Sequence, residues 1–202
     1  MESGYNNIIN HLSNDAILKG IIKKAGAIKP HSNNDVYLYL TESIIGQQLS
    51  SKVAIIIYNR FTNLFENNYQ EPEKVLAVDF DVLKSVGLSR QKVAYLKNAA
   101  TFAIEKSLEY NKLKTMPDEA IIEYLTQIKG VGRWTAEMIL MFPLNRSDVF
   151  PVDDLGIQNT MKQFYRIDKT GKLLTEDLKT IAEKWKPYRT IACKYLWQYV
   201  DK

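Results

Sequence analysis

An all-helical fold is expected from three features of this 202-residue chain. Apolar residues recur at three- and four-residue intervals along nearly all of it. No pair of alternating strands is joined by a tight turn. Ser, Asp and Pro stand where helices would begin. In order, the first helix covers 5–11, and the second covers 15–25, opened by Asn14 or Asp15 as an acceptor for free amides. After the loop Gly26–Asn34, helices at 35–46 and 50–65 are separated by Gln47-Gln-Leu-Ser50. Pro72 fits the first turn of a helix at 72–77. A helix at 79–85 is closed by Gly87, a C-cap residue, before Ser89 opens 89–107. Pro117 precedes 118–127, glycines precede 133–142, and Pro151-Val-Asp-Asp154 leads into 154–164. Thr175 is the expected cap of 175–184, and Pro187 marks the start of 187–201.

With 46% hydrophobic residues the chain suffices for one substantial core or two small lobes. The net charge of +4 and pI of about 8.9 are compatible with nucleic acid without demonstrating it. Cys193 is the single cysteine, which excludes an internal disulfide and a four-thiolate metal or cluster site, and points to a reducing compartment. There is no apolar run of about 18 residues and no basic-then-apolar leader, so a soluble protein inside the cell is expected.

The stretch richest in chemistry is Leu125-Thr-Gln-Ile-Lys-Gly-Val-Gly-Arg-Trp-Thr-Ala136, followed by Val149-Phe-Pro-Val-Asp-Asp154. It reads as a helix, a hairpin turning on Gly130 and Gly132, and a helix starting near Arg133, whose first amides are open to an anion. A phosphate grip with a carboxylate close by in the chain suggests work on a nucleotide.

Ile128-Lys-Gly-Val-Gly-Arg-Trp-Thr-Ala136 with Pro151-Val-Asp-Asp154 resembles the helix-hairpin-helix, Gly/Pro/Asp superfamily of base-excision DNA glycosylases, in particular its 3-methyladenine DNA glycosylase II branch. Ile44-Ile-Gly-Gln-Gln-Leu-Ser-Ser51 and Trp185-Lys-Pro-Tyr-Arg-Thr-Ile-Ala-Cys-Lys-Tyr-Leu-Trp197 are similar to the same branch, so the matches span about residues 35–200. The resemblance implies two helical lobes with the hairpin at the cleft between them. One is a central barrel over 35–147, with the hairpin segment at 125–142; the other is built from 1–34 plus 148–202. Some members add an N-terminal β domain, for which too few residues precede Asn34 here.

The resemblance also implies residue roles. Asp154, the second acid of the Pro-x-Asp-Asp block, is the expected catalytic carboxylate, stabilising positive charge on the sugar or orienting water. Read without the family, an Asp after Pro-Val is more often a helix cap. Asp153 takes that plain role if Asp154 is catalytic. Trp134 stands where backbone-cutting relatives have a lysine, so a monofunctional enzyme without lyase activity is implied. Trp134, Trp197 and Met138 are the expected base pocket, with Met138 where the family suggests an aromatic; the π-faces suit an electron-poor alkylated purine. Core packing is the alternative for Trp134. Gln48 matches the wedge that fills the vacated stack, and Leu49 is the apolar substitute beside it, unless Leu49 is core and the glutamines cap a helix. Gly130, Gly132, Thr135, Lys129 and Arg133 are expected on DNA phosphates. Ser51, Lys52, Arg90 and Lys92 are weaker contact candidates. The carbonyls of Thr126, Ile128 and Val131 are placed to hold a structural Na+ or K+; no cofactor is required. His11 and His31 are isolated, with surface or core roles.

The implied function is hydrolysis of the N-glycosidic bond of alkylated purines, chiefly 3-methyladenine and then 7-methylguanine, in base excision repair. The partner is double-stranded DNA containing damaged bases, met by a monomer in the cytoplasm or nucleoid, or in a nucleus, and no membrane. Two rivals are a superfamily glycosylase for another damaged or mismatched base, and a non-catalytic helix-hairpin-helix DNA-binding protein.

Overall fold

The computed structural model describes residues 2–28 and 33–200, and every regular element in it is helical: thirteen α-helices and two short 3-10 turns. The all-α expectation is met. The helices gather into two compact units, Met1–His31 with Asn145–Lys202 and Ser32–Leu144. His31 lies outside the described residues. Among those described, no helix is long and apolar enough to cross a membrane.

Helices α1 (Glu2–Leu12) and α2 (Ala16–Ala25) open the first unit. Asp15, rather than Asn14, is the cap of α2, its carboxylate accepting from the amides of Ile17 at 2.9 Å and Leu18 at 3.1 Å. Its other oxygen accepts from the Tyr165 hydroxyl at 2.7 Å and the Trp185 indole at 3.2 Å. Burial by itself would push this carboxyl up, and those donors outweigh it and hold it below its ordinary value. A carboxyl so lowered stabilises the fold above its unfolded-state value near 3.8 and loses that contribution as pH falls through the folded one. Asp15→Asn, which still caps the helix, should therefore lower Tm at about pH 6 by more than at about pH 3. Equal losses at both pH values would remove the charge from the explanation.

The second unit holds α3 (Val36–Gly46), α4 (Ser51–Thr62), α5 (Pro72–Ala77), α6 (Phe80–Ser85), α7 (Arg90–Lys106), α8 (Tyr110–Leu113), α9 (Asp118–Leu125) and α10 (Arg133–Met141). Helices α3 and α7 form its centre, packed on each other, with α4 and α10 against α3 and α5 and α6 against α7. Leu40, Ile44, Ile45, Val93, Leu96 and Ala99 fill that centre with essentially no exposed surface. Ser89 caps α7 through the Lys92 amide, and Pro72 occupies the first turn of α5, as expected. Gly87 follows the Val86 cap of α6 at φ 104°, a conformation suited to glycine.

Three boundaries differ from the periodicity. α4 stops at Thr62 with Asn63 as its cap, and farther on Asn67 and Asn68 adopt left-handed backbone, which Asn tolerates better than most residues. α8 is a single turn, too short to carry a period. The last unit elements are α11 (Leu155–Tyr165), α12 (Gly171–Ala182) and α13 (Arg189–Val200). α12 begins four residues before the expected Thr175, whose hydroxyl instead donates back to the Lys172 carbonyl inside the helix. Helix α13 packs against both α2 and α11.

Candidate functional site

In the Ser32–Leu144 unit, α9 and α10 pack on each other and are joined by the turn 126–132. Gly132 caps α10 and, lacking a side chain, offers no acceptor to its first-turn amides, which is the arrangement an external phosphate completes. Its backbone is extended at φ −96°, and nothing lies within 4 Å of where a Cβ would sit. The residue that must be glycine is Gly130. Its φ is 103°, and an added Cβ would fall 2.2 Å from Cγ of Tyr95 on α7. Of the two hairpin glycines, the demand for glycine thus rests on Gly130, because the Tyr95 ring lies directly against it.

The remaining phosphate candidates divide. Lys129 is exposed, while its carbonyl accepts from Asn98 at 3.4 Å. Thr135 is buried, so only its amide in the first turn of α10 suits an anion. Arg133 is ion-paired: its guanidinium donates to Glu119 at 2.6 and 3.0 Å and to Glu137 at 3.1 Å. The hydrogen bond from Arg133 in turn holds the Glu119 carboxyl below its ordinary value. Arg133 and Glu119 are both more than half exposed, and an ion pair so exposed is weak. Ser51, Lys52 and Arg90 are exposed, but Lys92 is turned inward to the Ile45 carbonyl at 2.6 Å, and burial lowers its pKa.

The segment expected as a wedge follows α3. Gln47 caps that helix, and its side-chain amide donates to the Gly130 carbonyl at 3.2 Å, tying this turn to the hairpin. Gln48 is exposed at φ 59°, a left-handed conformation costly to a non-glycine residue and often found at functional positions. Leu49 is half-buried and absent from the fully buried core, so the core alternative does not describe it.

Beside this turn lies a cavity of about 860 Å³, within the size range of small-molecule sites. Trp134 and Met138 of α10 line it with Tyr39, Glu42 and Ser43 of α3 and Leu49. Trp134 is 42% exposed, so it is a wall and not core packing. Met138, one turn on, is buried beneath.

Asp154 and Trp197 belong to the other unit. The turn that carries Asp154 is secured from both ends. Asp148 pairs with Arg189 at 2.6 and 2.9 Å, the Val149 amide donates to the Thr190 hydroxyl at 3.0 Å, and Gln158 donates to the Val152 carbonyl at 2.8 Å. Phe150 packs edge-on against buried Trp185. Asp154 itself is the cap of α11: Oδ1 accepts from the Ile157 amide at 2.8 Å and from the Trp197 indole at 2.9 Å. The capping role assigned to Asp153 therefore falls on Asp154, and Asp153 is exposed. Gly156 makes room for this contact, since a Cβ there would lie 3.1 Å from Asp154 Oδ1 and 3.3 Å from the Trp197 ring. His11 is half-buried and edge-on to Tyr188 at 5.4 Å.

Sequence reasoning missed Tyr95, the Gln47 contact, Tyr39, Glu42 and Gly156. Only Gly156 left a readable signal, a poor helix former in the first turn of a helix. Among the described residues there is no cluster of three or more His, Cys, Asp or Glu able to hold a metal. The carbonyls of Thr126, Ile128 and Val131 are neutral hard donors of the kind a monovalent cation takes. Ile128 O already accepts from the Val131 amide at 2.9 Å, which leaves its second lone pair.

Comparison with known proteins places these features. Residues 41–187 match the family described as HhH-GPD superfamily base excision DNA repair protein. DNA-3-methyladenine glycosylase 1 of Schizosaccharomyces pombe is 36% identical over 194 residues, 93% of this chain and 84% of that protein. The alkylbase DNA glycosidase-like protein mag2 of the same organism is 32% identical, covering 98% and 94%. The solved structure of an S. pombe 3-methyladenine DNA glycosylase in complex with abasic DNA superposes with a TM-score of 0.85 at 36% identity, covering 95% of each chain.

Proposed function

The chain belongs to the HhH-GPD superfamily of base excision DNA repair proteins, and we propose that it is an alkylbase DNA glycosylase that hydrolyses the N-glycosidic bond of cationic alkylated purines, chiefly 3-methyladenine and then 7-methylguanine. The observation that carries this reading is Asp154, a carboxylate in the Pro-x-Asp-Asp block oriented at one oxygen by the Ile157 amide and the Trp197 indole. In the reaction the bond between C1′ and the base breaks, its electron pair leaves with the base, and water adds to C1′ and gives up a proton. A base that departs neutral from a cationic nucleotide needs no strong general acid. The difficulty is the positive charge on the sugar, and a fixed carboxylate is the group that stabilises it.

The base is flipped from the stack at a cost of a few kcal/mol, lower for a damaged pair. It enters the cavity lined by Trp134 and Met138, with Gln48 and Leu49 taking up the vacated position. The hairpin amides of Gly130, Gly132 and Thr135, with Lys129, grip the phosphates, and the carbonyls of Thr126, Ile128 and Val131 hold a monovalent cation that stiffens the turn. No other cofactor takes part, and the protein works as a monomer on double-stranded DNA inside the cell.

Trp134 offers no amine to the sugar, so the product is an abasic site in an unbroken strand. Incubation with methylated DNA should release free 3-methyladenine and 7-methylguanine, and borohydride should trap no covalent complex. Release of neither base would overturn the assigned substrate class, and a trapped adduct would overturn the absence of lyase activity.

A further inference from the structure

Glu42 has no part in the reading above; it is exposed, and it stands on the rim of the cavity described there. Tyr39, Glu42 and Ser43 stand three and four residues apart on α3, so they share one face, and all three line the 860 Å³ cavity with Trp134 and Met138. Among the described residues lining it, Glu42 is the single carboxylate, and no Lys, Arg or His is present. It has no ion-pair partner among the described residues. The cavity therefore carries one uncompensated negative charge beside aromatic faces. Burial, and after it the charge of Glu42, raises the Tyr39 pKa, so that phenol stays protonated and adds no second charge. Tyr39 is also held in place by a stacked contact with Phe142, 5.7 Å between ring centres.

A protein that grips phosphates gains nothing for affinity from an acid next to its DNA-contacting turn, because like charges repel. What such a carboxylate favours is a cation. We infer that Glu42 is a specificity-determining residue that reads the positive charge of a purinium ring held in this cavity, while Trp134 reads the same charge through its π-face. The inference rests on the reading that the cavity receives the base. It adds a charge-sensing side chain from α3 to the stacking wall supplied by α10. Electrostatic selection of this kind separates a methylated purine from an ordinary one, whose ring is neutral and otherwise of nearly the same shape.

The test uses ring probes that cannot be hydrolysed: the 3,9-dimethyladeninium cation and neutral 9-methyladenine, titrated into the full chain and followed by chemical shift. The wild-type protein should bind the cation about 10-fold more tightly than the neutral ring, a size expected for a partly hydrated charge pair with a cation–π contribution. Glu42→Gln keeps the side-chain shape and should lower that preference to about 3-fold or less, while Glu42→Asp should retain most of it. Affinity for abasic DNA should be unchanged or higher in Glu42→Gln, which a disturbed fold would not produce. A preference that survives in Glu42→Gln, or a wild-type protein that shows none, overturns the inference. Base release from methylated DNA is measured separately. A protein that shows the charge preference but releases no base would sink the proposed reaction and leave the assignment of Glu42 standing.

Discussion

Asp154→Asn should lose about 10²–10³-fold or more in single-turnover base release while folding and binding DNA normally. The separation of effects follows from the observed capping job and the proposed catalytic job of this side chain. Its Oδ1 accepts from the Ile157 amide and the Trp197 indole, and the amide oxygen of Asn, itself a favoured cap, can accept the same two bonds. What Asn cannot supply is the negative charge that the proposed reaction requires at the sugar. Asp154→Ala should add a stability loss of about 1 kcal/mol, because the cap disappears as well. Asp153→Asn, at an exposed position with no capping bond, should release bases nearly as the wild type does. Equal impairment of the Asp153 and Asp154 variants, or greater sensitivity at Asp153, would show the wrong acid has been given the role.

The largest structural effect is expected at Gly130. Alanine there must adopt φ near 103° and place its Cβ 2.2–2.5 Å from three ring atoms of Tyr95. The ring cannot swing away at little cost, since its hydroxyl is held by the Gln91 amide and the crowded atoms lie at its root. Adding a backbone term of about 1–2 kcal/mol to an overpacking term of about 1–3 kcal/mol gives a loss of roughly 2–5 kcal/mol. For a chain of this size that lowers Tm by roughly 4–20 °C. DNA affinity should fall with it, because the turn that presents the α10 amides is displaced. Gly132→Ala should stay within about 0.5 kcal/mol of wild type, its Cβ meeting open space. The cycle with Tyr95→Ala is decisive: the double variant should recover much of the overpacking loss. A Gly130→Ala protein as stable as wild type would mean the hairpin is not seated on that ring.

The chain's composition and spacing determined that it would be all helical, that α5 and α7 would start at Pro72 and Ser89 and α2 at Asn14 or Asp15, and which short blocks mattered. These are local properties. A helix shows its period in the residues that make it, and a cap or turn is written within three or four positions. The Gly-Val-Gly hairpin and the Pro-Val-Asp-Asp turn were legible for the same reason.

Contacts between elements distant in sequence leave no such trace, and tertiary structure alone decided them. Which glycine is indispensable was settled by Tyr95, 35 positions upstream of Gly130 in the chain numbering, and not by the hairpin's own sequence. That Arg133 pairs with Glu119 as well as with Glu137 one turn on was likewise not readable from the hairpin. Gln47 reaches the Gly130 carbonyl, and Tyr39 and Glu42 meet Trp134 around one cavity, only because α3 and α10 pack together. Trp197 orients Asp154 because α11 and α13 do the same. Sequence specifies each surface that a helix offers, whereas the free energy of burying those surfaces together chooses which side chains meet, and the chemistry of the candidate site resides in those meetings.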